Sequence, residues 1–89
     1  MNATRLASRL RFLATQLIEE AGFWQRSPDR ARSLARAAQQ CAVQAMRLMQ
    51  TPEGSAEHAS AAALHDEAIN ALVDTITSRT AGITGRHHA

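Results

Sequence analysis

Two prolines punctuate the chain, at Ser27-Pro28-Asp29 and Thr51-Pro52-Glu53, and the stretches between and beyond them contain no other. Each triplet is a helix-start signal. Ser or Thr at the N-cap offers an acceptor to the free N–H groups of the first turn. Proline at the next position forfeits no intrahelical donor, and the following acid complements the positive end of the helix dipole. Ser55, set behind Gly54, is a rival N-cap for the last segment. The chain therefore divides into three helices, expected over residues 3–26, 28–50 and 53–81 of one domain spanning 1–81. Gly82 suits a left-handed C-cap, and residues 82–89 are expected to form a flexible tail.

Placed at about 100° per residue, the apolar positions of each segment fall on one face. Ala3, Leu6, Ala7, Leu10, Leu13, Ala14, Leu17, Ala21 and Trp24 do so in the first. Ala31, Leu34, Ala38, Cys41, Ala45, Leu48 and Met49 follow in the second, and Ala61, Ala62, His65, Ala68, Ile69, Leu72, Val73 and Ile76 in the third. No segment alternates with period two or is rich in β-branched residues, so no strand is expected. Short turns between helices of similar length imply antiparallel neighbours. The expected fold is all-α, an up-down-up bundle of three long helices.

The core of such a bundle is thin. Apolar residues make up 45% of the 89, but only 3% are aromatic and alanine fills 19 positions. A chain this short buries only about 60% of the surface its unfolded form exposes. Alanine contributes little transfer energy, so the bundle is expected to be completed by oligomerisation. The first helix offers a place for it. Phe12 and Phe23, eleven residues apart, project within about 20° of each other and nearly opposite the Leu10 face, with Gln16 and Glu19 between them. These four residues are the expected oligomer interface. The alternative is a break at Gly22 that folds Phe23 and Trp24 over the end of the bundle and leaves Phe12 alone outside.

Charge is segregated along the chain. Residues 1–50 hold eight arginines against three acids, net +5, and residues 51–89 hold two against five, net −3. Arg5 with Arg9, and Arg32 with Arg36, are like-charge pairs at i,i+4, which stabilise a helix only where an anion lies nearby. Acids of the third helix, Glu67 and Asp74, could supply it from within. An acidic protein or a nucleic acid could supply it from without, and Arg5, Arg9, Arg32, Arg36 and Arg47 are the expected partner surface. The outer side of the second helix also shows Ser33, Gln39, Gln40 and Gln44, side chains of the kind that meet base edges. No short helix-turn-helix with a Gly-containing turn accompanies them.

Cys41, His58 and His65 are the candidate metal ligands, since soft sulfur with imidazole suits Cu(I) or, less well, Zn(II) or haem. His58 and His65 are seven residues apart, about 10 Å along a helix axis, so one metal cannot take both from one protomer. His87 and His88 are solvated tail residues on this reading. Cys41 lies mid-helix and His65 is followed four positions on by Ile69, so the His-x-x-x-Cys spacing of the small helical copper-sensing repressors is absent. The Glu-x-x-His of ferritin-like carboxylate sites is absent too, and the sequence points to no family.

Catalysis finds little to stand on. There is no lysine, which removes the P-loop lysine and Schiff-base chemistry, and no tyrosine to act as a phenolic acid. Cys41, His65 and Asp66 form the one tempting trio, but neighbours on a helix diverge by about 100°, so Asp66 is expected to point away from the His65 ring. The carboxylate pairs Glu19-Glu20 and Asp66-Glu67 diverge likewise. The expectation is a non-enzymatic protein without a cofactor. The single cysteine allows no intrachain disulfide, the start of the chain lacks the apolar run of a signal peptide, and no stretch reaches the ~20 apolar residues that cross a bilayer. A cytoplasmic protein without a membrane partner is expected. The function read from the sequence is a helical protein-interaction or regulatory module that self-associates through the second apolar stripe of its first helix. A small dimeric DNA-binding transcriptional regulator is the runner-up, and a copper- or zinc-responsive helical protein comes third.

Overall fold

The computed structural model describes residues 2–88, with side chains for residues 2–81. It is all-α: α1 (Ala3–Ala21), a 3-10 turn (Gly22–Trp24), α2 (Pro28–Leu48) and α3 (Ala56–His88). α3 runs on through Gly82 to His88, past the expected cap at Gly82 and over most of the expected tail, while the side chains of residues 82–89, His87 and His88 among them, lie outside the described residues.

Asn2 is the N-cap of α1. Its Oδ1 accepts the Arg5 N–H at 2.8 Å. A second acceptor comes from fifty residues away, where Glu53 Oε1 takes the Ala3 N–H at 2.9 Å. A carboxylate at the positive end of α1 is well placed electrostatically. At the other end α1 does not run on to residue 26. The Gly22 backbone stays right-handed (φ −62°), its N–H reaches the carbonyls of the preceding turn, and the chain tightens into the 3-10 turn.

Pro28 opens α2 as expected, with Ser27 in the N-cap position and Asp29 in the first turn, but the Ser27 hydroxyl makes no capping bond. Asp29 instead pairs with Arg32. The second proline does not start a helix. Pro52 accepts the Ser55 N–H at 3.3 Å across a turn, and Gly54, at φ 80°, occupies the left-handed position that a turn with a positive third residue reserves for glycine. The helix then begins at Ala56, with Ser55 Oγ accepting the His58 N–H at 3.4 Å. The rival cap wins because Gly54 can make the reversal that Pro52 alone cannot.

The helices pack as up-down-up. Glu53 meets Ala3 at one end, and Glu20 meets Arg79 at the other, so α1 and α3 run parallel with α2 antiparallel between them. The core is one cluster. Leu6, Ala7, Leu10, Leu13 and Leu17 enter from α1, Leu34, Ala38, Cys41, Ala45 and Leu48 from α2, and Ala61 and Ala68 from α3. No leucine of α3 is fully buried among the described residues, and α1 packs far more extensively against α2 than either does against α3. Val73, Ile76 and Met49, expected in the stripes, are exposed instead. The hairpin of α1 and α2 is met by the small face of α3, Ala61 and Ala68 beside His65, which turns the wider apolar side chains onto its flanks.

Candidate interaction surfaces

The end where α1, α2 and α3 converge is closed by an ionic cluster that the sequence did not reveal. Glu20, only 3% exposed, accepts the Arg79 Nε on Oε2 at 2.9 Å and an Arg79 terminal NH2 on Oε1 at 3.0 Å, a two-pronged charge-assisted pair. The Trp24 indole N–H donates to the same Oε2 at 3.0 Å. The fork from Arg79 holds the Glu20 carboxyl below its ordinary value against the opposing effect of burial, with Trp24 adding to the depression. The same bond raises the Arg79 guanidinium still further. Arg79 also lies over the Phe23 ring, 4.1 Å from its centroid, and Arg30 over the Trp24 ring at 4.4 Å. Each residue of this cluster is ordinary in the sequence. Only the parallel alignment of α1 with α3, 59 residues apart, makes a site of them.

The second apolar stripe of α1 is real in part. Phe12 is 64% exposed and Phe23 63%, with Gln16 half-buried and Glu19 exposed between them. The two rings are not equivalent. Trp24 folds half-buried against the core after the break at Gly22, and one face of Phe23 is occupied by Arg79, while Phe12 stands free on the helix. Neighbouring apolar residues enlarge the surface. Leu64, Ala71 and Thr75 border α2, so Val73 (54% exposed) and Ile76 (37%), on the opposite flank of α3, border α1. With Glu20 level with Arg79, Val73 and Ile76 fall at about the height of residues 14–17, just past Phe12. Ile18, another exposed apolar residue, lies on the other side of α1 and lines a shallow furrow with Ala14, Ala35, Ala38 and Ala42.

The arginines separate into two surfaces. Arg36 and Arg47, with Gln39, Gln40, Val43 and Gln44, line an open groove bordered by Leu64 of α3. Arg5 and Arg9 are exposed on the flank of α1 that bears Phe12, outside that groove. Arg32 is engaged by Asp29 of its own helix, and the expected internal partners Glu67 and Asp74 make no ion pair with it or with Arg36 among the described residues. The shorter reach, one turn along α2, satisfies Arg32 before α3 can.

Cys41, His58 and His65 are not assembled as ligands. Among the described residues no group of three or more His, Cys, Asp or Glu side chains could hold a metal ion. Cys41 is fully buried, and burial pushes its thiol up, which keeps it protonated and a poor nucleophile. His65 corrects the sequence argument. Its Nδ1 lies 3.1 Å from Asp66 Oδ1, because adjacent side chains that leave a helix about 100° apart can still bend together when one is confined at the core edge and the other is free. His58 has its Nδ1 buried without a hydrogen-bond partner. No described helix is long and apolar enough to cross a membrane. No protein-family model matches the chain, and no curated protein or solved structure matches it.

Proposed function

We propose that the protein is a non-enzymatic helical interaction module that self-associates through the outer flank of α1 and offers the arginines of α2 to an acidic partner. One observation supports this above the rest: Phe12, Val73 and Ile76 are left exposed by a core in which the third helix fully buries only Ala61, Ala68 and His65, with Leu64, Ile69 and Leu72 partly buried against it. Large apolar side chains left exposed in this way on a small protein are most simply covered by another protein surface. The expected result is that the wild type sediments as an oligomer at micromolar concentration. Phe12→Asp should sediment as a monomer with its helical circular dichroism largely retained, since Phe12 lies outside the core cluster. A wild type that is monomeric throughout the concentration range defeats the proposal.

A second reading, a small dimeric DNA-binding regulator, is favoured by the groove of α2, where Arg36 and Arg47 stand among three glutamines. Arginine binds phosphate and guanine edges, and glutamine can bind adenine edges. On this reading the wild type is retained on duplex DNA, and its affinity falls steeply between about 50 and 200 mM salt. Replacing Arg36 and Arg47 together by alanine abolishes retention. A wild type that passes through a DNA column at the lower salt removes this reading and leaves the acidic protein as the partner of α2.

A further inference from the structure

The exposed stripe of α1 has a charge pattern that its own helix does not favour. Arg5 lies in the first turn of α1 and Glu19 in the last, and the helix has no acid in its first turn and no base in its last. A cation at the positive end of a helix and an anion at the negative end both oppose the dipole. Arg9, four residues after Arg5, adds a like charge. Among the described residues neither Arg5 nor Glu19 forms an ion pair within the chain. Both are exposed.

Their spacing around Phe12 gives the pattern a meaning. Arg5 and Glu19 lie seven residues before and seven residues after Phe12, so all three fall in one stripe about 40° wide, two turns apart. A two-fold axis makes contacts reciprocal: if residue i of one copy meets j of the other, j meets i as well. Two antiparallel α1 helices crossing at Phe12 therefore place the phenyl rings against each other, and each Arg5 opposite a Glu19, twice over. Ser8 and Gln16, four residues to either side, face one another in the same register, with Arg9 at the edge of the seam, about 60° around the helix from Phe12. Val73 and Ile76 border the same region and widen its apolar centre. Parallel pairing would instead set Arg5 on Arg5 and Glu19 on Glu19.

We infer that the occupant of this flank is a second copy of the chain, joined through antiparallel α1 helices about a two-fold axis at Phe12, with Arg5 of each copy paired to Glu19 of the other. The inference rests on the self-association proposed above and adds its geometry. The dipole-opposing charges are then explained, because the anion that Arg5 lacks within its own chain arrives from across the interface.

Charge reversal tests the register. Arg5→Glu alone, or Glu19→Arg alone, places like charges at both contacts, and each variant is expected to weaken the dimer at least tenfold by sedimentation equilibrium. Both reversals suit the dipole of α1, so lost association cannot be attributed to a weakened helix. Mixed in equal amounts, the two variants are expected to form a heterodimer, since every contact then joins opposite charges. The double variant is expected to recover the homodimer. If the wild type dimerises but the single reversals leave it unchanged, or the mixture fails to recover it, the antiparallel register is overturned while self-association stands. A monomeric wild type overturns both.

Discussion

Leu17→Ala is expected to lower the free energy of unfolding by about 3–5 kcal/mol. Leu17 is fully buried, one of only a few large side chains so placed, and the rest of the core is rich in alanine. Filling a vacancy requires neighbours that can swing into it. Ala14, Ala21 and Ala38, at about the height of Leu17, have no side-chain torsion with which to do so, and the helices they line can close the gap only by moving as bodies. The loss therefore belongs in the upper part of the range for leucine truncation. An 89-residue domain has roughly 4–13 kcal/mol in total, so urea unfolding should show a midpoint reduced by about a quarter or more. A shift no larger than that of an exposed alanine substitution would mean that the leucine layer is not the main source of stability. The midpoint of the wild type should also rise with protein concentration if association is coupled to folding.

The second large effect is expected at Glu20. Glu20→Gln preserves the volume but removes the charge that anchors Arg79 and Trp24, and it should cost about 1–3 kcal/mol near neutral pH. The sign of the pH dependence follows from the depressed carboxyl. Its folded-state value lies below the ordinary 4.5, so its contribution is fully present above that value. It is lost as the pH falls through the folded value, because protonation then favours the unfolded chain. Thermal midpoints recorded from pH 7 down to pH 2 should fall for the wild type below about pH 4.5 and fall less for Glu20→Gln, the two converging at the acid end. Parallel curves would show that another carboxylate dominates the acid response.

These two residues also mark how far the sequence could be read. Leu17 was visible as core from the helical period alone, because burial of a leucine stripe is dictated locally. Phe12 was visible as an outlier for the same reason. Glu20 was not. It was one of two adjacent acids, and its burial depends on an arginine 59 positions later whose height on α1 is set by the lengths of both turns. The start of α3 depended on a similar local contest. Pro52 and Ser55 both carry start signals, and the positive φ at Gly54 decides between them. The His65–Asp66 contact was excluded by wheel geometry that describes where side chains leave the helix and not how far they reach.

The unequal contribution of the helices to the core bears on the order of events during synthesis. The fully buried leucines belong to α1 and α2, and the hydrogen bonds that help seat α3 and the turn before it run from Ala3 to Glu53, Gln44 to Glu57 and Arg79 to Glu20. A nascent chain emerging from its N-terminus therefore completes a greasy hairpin while the covering helix is still being translated. For that interval the inner wall of α1 and α2 is bare, and the protein is most vulnerable to sticking just before α3 arrives.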